Sequence, residues 1–193
     1  MEKLIGNKIN TAVFISGRGS NLKSLINYSQ SKHSLIKIKL IISNKSNAKG
    51  LKYAARYKIK SYFINYKSIY SSEEKMLKLL AKFNINLICL AGFMKIISKN
   101  FIKKFNKPII NIHPSLLPKY KGLNTHKRVL KNNERFSGCT VHYVNSSLDS
   151  GKIILQKKIL ISKKDTPSTL KKKILKQEHI LYPKAINKLF ANL

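Results

Sequence analysis

The stretch Ile109–Gly122, IINIHPSLLPKYKG, decides how this chain is read. An apolar strand runs into a histidine, and the histidine meets a proline. Successive side chains of a strand alternate between its faces, so Asn111 and His113 share one. Pro114 and Pro118 stiffen the exit. A strand that delivers an amide and an imidazole together, on a rigid frame, is suited to hold polar groups in a defined geometry.

Outward from this stretch, apolar runs alternate with helical patterns along the chain. Strands are expected at Ile9–Ser16, Ile36–Ser43, Ser61–Ile64, Asn86–Ala91, Ile109–Ile112, Gly138–Val144 and Ile153–Leu160. Helices are expected at Asn21–Ser31, Ala48–Tyr57, Ser72–Phe83, Ser98–Phe105, Thr125–Asn132 and Thr166–Phe190, with a possible break at Pro183. The nearly continuous apolar strands up to Ile112 suit a parallel sheet buried on both faces. The expected fold is α/β, an open, mostly parallel sheet of about seven strands with helices on both faces. In such sheets ligands bind beyond the carboxyl ends of the strands.

The whole composition narrows the function classes. The 193 residues suit one domain, 1–193. No apolar run approaches the ~20 residues of a membrane span. The start, MEKLIGNKINTAVFIS, reads as a first strand rather than a signal peptide. Cys89 and Cys139 lie in apolar contexts without metal-ligand spacing, which suggests buried thiols in a reducing compartment, the cytoplasm. The net charge of +32 invites a nucleic-acid reading. Against it, only Arg18, Arg56, Arg128 and Arg135 among the 39 basic residues are arginine. The lysines are dispersed, and Lys, Ile and Asn are all abundant, as drift in an AT-rich genome would produce. No specific nucleic-acid partner is expected, although the charge attracts anions.

Four post-strand segments carry chemistry. After the first strand, SGRGSNL offers Gly17 and Gly19 for a tight turn and Ser20 or Asn21 as a helix cap. It reads equally as a capped turn or as a single-phosphate site at a helix N-terminus, with Arg18 favouring an anion. Leu22 stands where a dinucleotide fingerprint would place its third glycine. After the fourth strand, LAGFMKIIS continues the core or forms the wall of a pocket for a flat ligand. After the sixth, Asp149 in VNSSLDSG is a turn aspartate or a carboxylate returned to His113, raising its pKa. Asn111, His113 and Asp149 include no nucleophile and no zinc pattern; they suit acyl or formyl transfer, with an oxyanion to stabilise. His33, His126, His142 and His179 read as structural, and Glu178 as a solvated helix residue.

Taken together, SGRGSNL, SNKSNAKGL, LAGFMKIIS, NIHPSLLPKYKGL, SSLDSGKIILQ and QEHILYP resemble the folate-dependent phosphoribosylglycinamide formyltransferases of purine biosynthesis. The resemblance covers nearly the whole chain. It implies a Rossmann-like formyltransferase fold, with a phosphate-binding half of about 1–105 and a folate and catalytic half of about 106–193. It implies transfer of a formyl group from 10-formyltetrahydrofolate, a co-substrate, to the amine of glycinamide ribonucleotide, without a metal. By motif, Gly19, Ser20 and Asn21 would cradle the substrate phosphate and Glu178 would contact that nucleotide. Met94, Lys95, Ile96 and Ile97 would line the folate pocket. Asn111 would bind the formyl oxygen, and His113, held protonated by Asp149, would donate to the oxyanion. A monomer or weak homodimer is expected. Ile69 stands where the family commonly has an arginine near the folate.

Related formyl-handling enzymes share the Asn-x-His pattern and the later aspartate. A methionyl-tRNA formyltransferase is expected to need a further C-terminal RNA-binding domain, and a formyltetrahydrofolate deformylase an N-terminal regulatory one. A non-catalytic polyanion-binding protein on the same fold is the alternative from another class, supported by charge alone.

Overall fold

The structure is a computed structural model and describes residues 8–191. The readings made of the first seven and last two residues lie outside the described residues. Seven strands and six helices follow one another as β1 (Ile9–Ile15), α1 (Ser20–Ser29), β2 (Ile36–Ser43), α2 (Leu51–Arg56), β3 (Lys60–Phe63), α3 (Ile69–Lys82), β4 (Leu87–Leu90), α4 (Lys99–Phe105), β5 (Ile109–His113), α5 (Thr125–Lys131), β6 (Phe136–Tyr143), β7 (Ile153–Leu160) and α6 (Pro167–Leu189). The strands form one sheet in the order β3-β2-β1-β4-β5-β6-β7. The chain divides into two compact units, up to Ile109 and from Ile110 onward.

In the first unit β1 pairs in parallel with both β2 and β4, and β2 with β3. The apolar runs INTAVFI and LICL are buried along most of their length, as parallel strands covered on both faces must be. Phe14, Leu22, Leu25, Ile41 and Met76 have no exposed surface. Two helices begin three residues from their expected starts. Helix α2 starts late because the Gly50 N–H donates to the Gly17 carbonyl at 2.9 Å, across to the turn after β1. Helix α3 starts early because Ser72 is already inside its first turn, with its hydroxyl on the Ser68 carbonyl at 2.5 Å.

In the second unit β6 runs antiparallel to both β5 and β7. Helix α6 begins with a reciprocal capping box between Thr166 and Thr169 and Pro167 at its start. It passes through Pro183 unbroken to Leu189. An interior proline costs a helix about 3 kcal/mol. Tyr182, Ala185 and Ile186 on either side are fully buried and hold the segment in place, and the Tyr182 hydroxyl donates to the Ile110 carbonyl at 3.0 Å.

The sheet's edge strands carry lysines, Lys60 on β3 and Lys157 and Lys158 on β7, all exposed. Charged side chains on an edge discourage pairing with another chain. Cys89 and Cys139 are both buried thiols, not joined in a disulfide. No helix among the described residues is long and apolar enough to cross a membrane.

Gly138 marks a tight backbone approach between β6 and β7. A Cβ there would lie 2.0 Å from the Lys157 carbonyl oxygen and 2.7 Å from Leu116 Cδ2. Gly138→Ala is expected to destabilise the fold by at least the ~1–3 kcal/mol typical of overpacking, a fall in melting temperature of roughly 3–10 °C. Gly17→Ala, with nothing within 4 Å of the added carbon, is expected to stay within about 0.5 kcal/mol. Thermal unfolding of the two variants side by side checks the contrast.

Candidate active site

Strand β5 places Asn111 and His113 on one face, and β6 supplies what stands opposite. The antiparallel register pairs Asn111 with His142 and His113 with Thr140. Directly opposed residues share a face, so His142 joins the pair. Thr140 donates its hydroxyl to the Ser115 carbonyl at 2.7 Å and accepts the Leu117 N–H at 3.2 Å. Gln156 on β7 reaches the Leu117 carbonyl at 2.7 Å. The proline-flanked exit from β5 is therefore fastened to β6 and β7.

The loop from β6 to β7 returns Asp149 to this face. Gly151 makes that possible, because a Cβ there would sit 1.8 Å from the Tyr143 carbonyl oxygen. Asp149 Oδ2 lies 3.3 Å from His113 Nδ1 and accepts the Gly122 N–H at 2.9 Å. Its Oδ1 lies 3.5 Å from Asn111 Nδ2 and 3.6 Å from His142 Nε2. Asn111 Nδ2 is 3.2 Å from His142 Nε2, whose ring is oriented by the contact of Nδ1 with the Tyr143 carbonyl at 2.8 Å. The other His113 nitrogen, Nε2, meets the Tyr120 carbonyl at 2.9 Å. One buried carboxylate thus faces nitrogens from three separate segments, with the Asn111 amide and the Gly122 N–H as donors.

Burial pushes the Asp149 carboxyl up, but its bonds from His142 and Gly122 and the nearby imidazoles outweigh burial and leave it below its ordinary value. Asp149 is therefore the ionised member. His113 departs from expectation. Burial, the largest influence, pulls the imidazole below its ordinary 6.5. The Tyr120 carbonyl and Asp149 push it up, and His142 and Arg128 add to the downward pull. The carboxylate acts in the expected direction and loses to desolvation, so His113 is mainly neutral near pH 7 in the free protein.

Within the first unit, the expected phosphate turn is a glycine-capped helix start. Gly19, not Ser20 or Asn21, is the N-cap of α1, at φ 76°, and no side chain caps the helix. Ser20 is the first helical residue, and Asn21 follows it. The turn packs against Gly50 so closely that a Cβ on Gly19 would lie 2.5 Å from the Gly50 Cα. A helix start offers N–H groups without intrahelical acceptors, aligned with the positive end of its dipole.

The segment after β4 alternates. Phe93 is buried between Phe14 and Tyr66, with ring centroids 5.4 and 6.0 Å away. Met94 and Ile96 are 59% and 63% exposed, and Lys95 is exposed beside them. Ile97 is only 3% exposed, so its side chain belongs to the core rather than to a pocket wall. The backbone is fixed from beneath. Ser16 Oγ accepts the Met94 N–H at 2.7 Å, and the buried Glu73 accepts the Ser98 N–H at 2.8 Å and the Tyr66 hydroxyl at 2.7 Å. These residues lie in the first unit. Ile69 opens α3 and is exposed.

Two readings of single residues are corrected. His142 is no isolated strand histidine; it touches Asn111 and Asp149. Glu178 is no solvated helix residue. It is buried on the stripe of α6 that carries Leu170, Ile174, Leu181, Tyr182 and Ala185. Its charge helps push the neighbouring buried Cys139 thiol, raised chiefly by burial, to about 12. His126 feels a weak electrostatic influence of His113, and burial holds it neutral with a pKa of about 4.

Comparison with known proteins gives the family. Residues 9–186 match the family described as formyl transferase. Over 187 residues the chain is 43% identical to the trifunctional purine biosynthetic protein adenosine-3 of Gallus gallus, covering 95% of this chain but only 19% of that larger protein. It is 39% identical to the phosphoribosylglycinamide formyltransferase of Haemophilus influenzae, covering 91% of this chain and 84% of that one. The crystal structure of phosphoribosylglycinamide formyltransferase from Brucella melitensis has the same fold, with a TM-score of 0.90 at 37% identity and 97% of each chain covered. The match spans the strand that presents Asn111 and His113 and the loop that returns Asp149, and by it the chain belongs to the formyl transferase family, among the phosphoribosylglycinamide formyltransferases.

Proposed function

We propose that this protein transfers the formyl group of 10-formyltetrahydrofolate to the amine of glycinamide ribonucleotide, giving formylglycinamide ribonucleotide and tetrahydrofolate, a cytoplasmic step of purine biosynthesis. The observation that carries the reading is the set of N–H donors around the Asp149 carboxylate, with Asn111 and His113 beside it.

The amine attacks the formyl carbon, and the carbonyl oxygen becomes an oxyanion. Asn111 Nδ2 donates to that oxygen, giving up its long contact with Asp149. In the neutral His113 ring, Nε2 carries the proton that meets the Tyr120 carbonyl, and Nδ1 carries a lone pair. As the C–N bond forms, Nδ1 takes the proton that the amine sheds. The imidazolium then donates to the oxyanion and returns its proton to the departing folate nitrogen. Asp149, ionised and in contact with Nδ1, stabilises the imidazolium while it exists. The atoms balance: one C–N bond forms, one breaks, and a proton passes from the amine to tetrahydrofolate. Holding both substrates in one orientation supplies much of the acceleration.

The binding roles are part of the same proposal. Gly19, Ser20 and Asn21 receive the substrate phosphate at the start of α1. Glu178 contacts the nucleotide. Met94, Lys95 and Ile96 line the folate pocket with exposed surface, and Ile97 does so through its backbone. The exposed Ile69 leaves the folate's carboxylates without an arginine at that point, so lysine charge nearby has to serve.

Loss of one oxyanion donor typically costs about 10²–10³ in rate. His113→Ala and Asn111→Ala are each expected to lose at least that much while remaining folded. The measurement is tetrahydrofolate formation with both substrates, alongside a control without the acceptor amine. A His113→Ala rate within a few-fold of the parent would sink the assignment, and turnover without acceptor would move it to hydrolysis. The pH profile gives a second check. Because the His113 pKa lies below 6.5, the neutral ring persists to lower pH, and kcat is expected to fall only below 6.5 on the acid side. An acid limb centred above 6.5 would contradict the neutral-ring mechanism.

A further inference from the structure

We propose that Tyr120 is a positioning residue for His113: its backbone carbonyl assigns the proton to Nε2, its anchored side chain holds that carbonyl in place, and Nδ1 is left to the reaction. The inference rests on the formyl-transfer reading for its kinetic consequence, but not for its spectroscopic one.

A carbonyl oxygen can only accept a hydrogen bond. The ring nitrogen 2.9 Å from the Tyr120 oxygen must therefore carry hydrogen. Nδ1 is then the nitrogen free to change its protonation, and it is the one that faces Asp149. Which nitrogen does chemistry is decided by a residue that need not touch the substrate.

Tyr120 occupies an unfavourable backbone conformation to do this. Its φ is 58°, a region that bulky residues seldom enter. Such a conformation persists only where its surroundings over-determine it, and here they do. The Tyr120 hydroxyl donates to Glu134 Oε1 at 2.9 Å and accepts from Asn132 Nδ2 at 3.0 Å. The Arg128 guanidinium lies 5.4 Å from its ring centroid and reaches the Lys121 carbonyl at 2.6 Å. Lys119 pairs with the same Glu134 oxygen at 3.0 Å. Ser115 donates to the Lys119 carbonyl at 2.7 Å. Two residues on, the Gly122 N–H holds Asp149. The segment Tyr120–Gly122 therefore grips both partners of the His–Asp pair, one through a carbonyl and one through an N–H.

The test uses the full chain labelled with ¹⁵N at histidine. Long-range ¹H–¹⁵N correlation spectra at neutral pH or above report which ring nitrogen carries the proton, with His113 assigned by its absence in His113→Gln. The parent is expected to show His113 protonated on Nε2. Tyr120→Gly tolerates the positive φ but removes the anchor. It is expected to show a mixture of tautomers and a kcat lowered by about 10-fold or more, a share of the 10²–10⁴ that positioned acid–base groups contribute, with KM for both substrates unchanged. Tyr120→Phe, which keeps the ring over Arg128 but loses both hydroxyl bonds, is expected to shift in the same direction by less, and it carries the test if the glycine variant does not fold. Variants whose His113 stays wholly protonated on Nε2, or whose kcat matches the parent, would overturn the proposal. A parent inactive toward the glycinamide substrate, with the tautomer shift present in the variants, would overturn the reaction reading and leave the positioning role standing.

Discussion

The carboxylate of Asp149 is the constraint on which the second unit depends. An ionised group taken out of water costs several kcal/mol, and it is tolerated only where donors replace the lost hydration. Those donors come from Asn111 on β5 and from the strap at Gly122, with His142 of β6 against the same carboxylate, so each segment must take its place for the charge to be buried at all. The tightness of Gly138 and Gly151, the fastening of Leu117 by Thr140 and Gln156, and the backbone of Tyr120 all serve that placement. The surrounding architecture is rigid because a misplaced donor would leave a charge without a partner.

Much of this was legible in the sequence because it follows from periodicity and punctuation. Apolar runs of four to eight residues set the strands, and β2 and β7 coincide with their expected bounds. The parity of Asn111 and His113 survives any small error in strand ends. Other features depend on register or distance, which one sequence does not display. His142 becomes part of the site only because β6 sets it opposite Asn111, with an irregularity beside it at Val141. The lowered pKa of His113 reflects burial, which was invisible beside the obvious carboxylate. Glu178 did leave a signal: it stands four residues after Ile174 and four before Tyr182, on the same stripe of α6. A helix stripe apolar but for one carboxylate marks a buried acid.

The lysines are easier to understand by place than by number. Several guard sheet edges, and others lie on the outward faces of helices. Asp165 is the local exception, bonded by Lys173 at 2.7 Å and by the Thr169 hydroxyl at 2.9 Å where α6 begins. Such exposed pairs add little stability individually. The excess cation attracts any anion, so net charge by itself does not discriminate one anion from another.

The contact between Gly19 and Gly50 makes one object of two motifs that the chain keeps apart. A Cβ at position 19 would lie 2.5 Å from the Gly50 Cα, so the turn after β1 and the start of α2 approach this closely only because position 19 carries no side chain. A side chain at position 19 would therefore disturb two motifs at once, the turn after β1 and the start of α2.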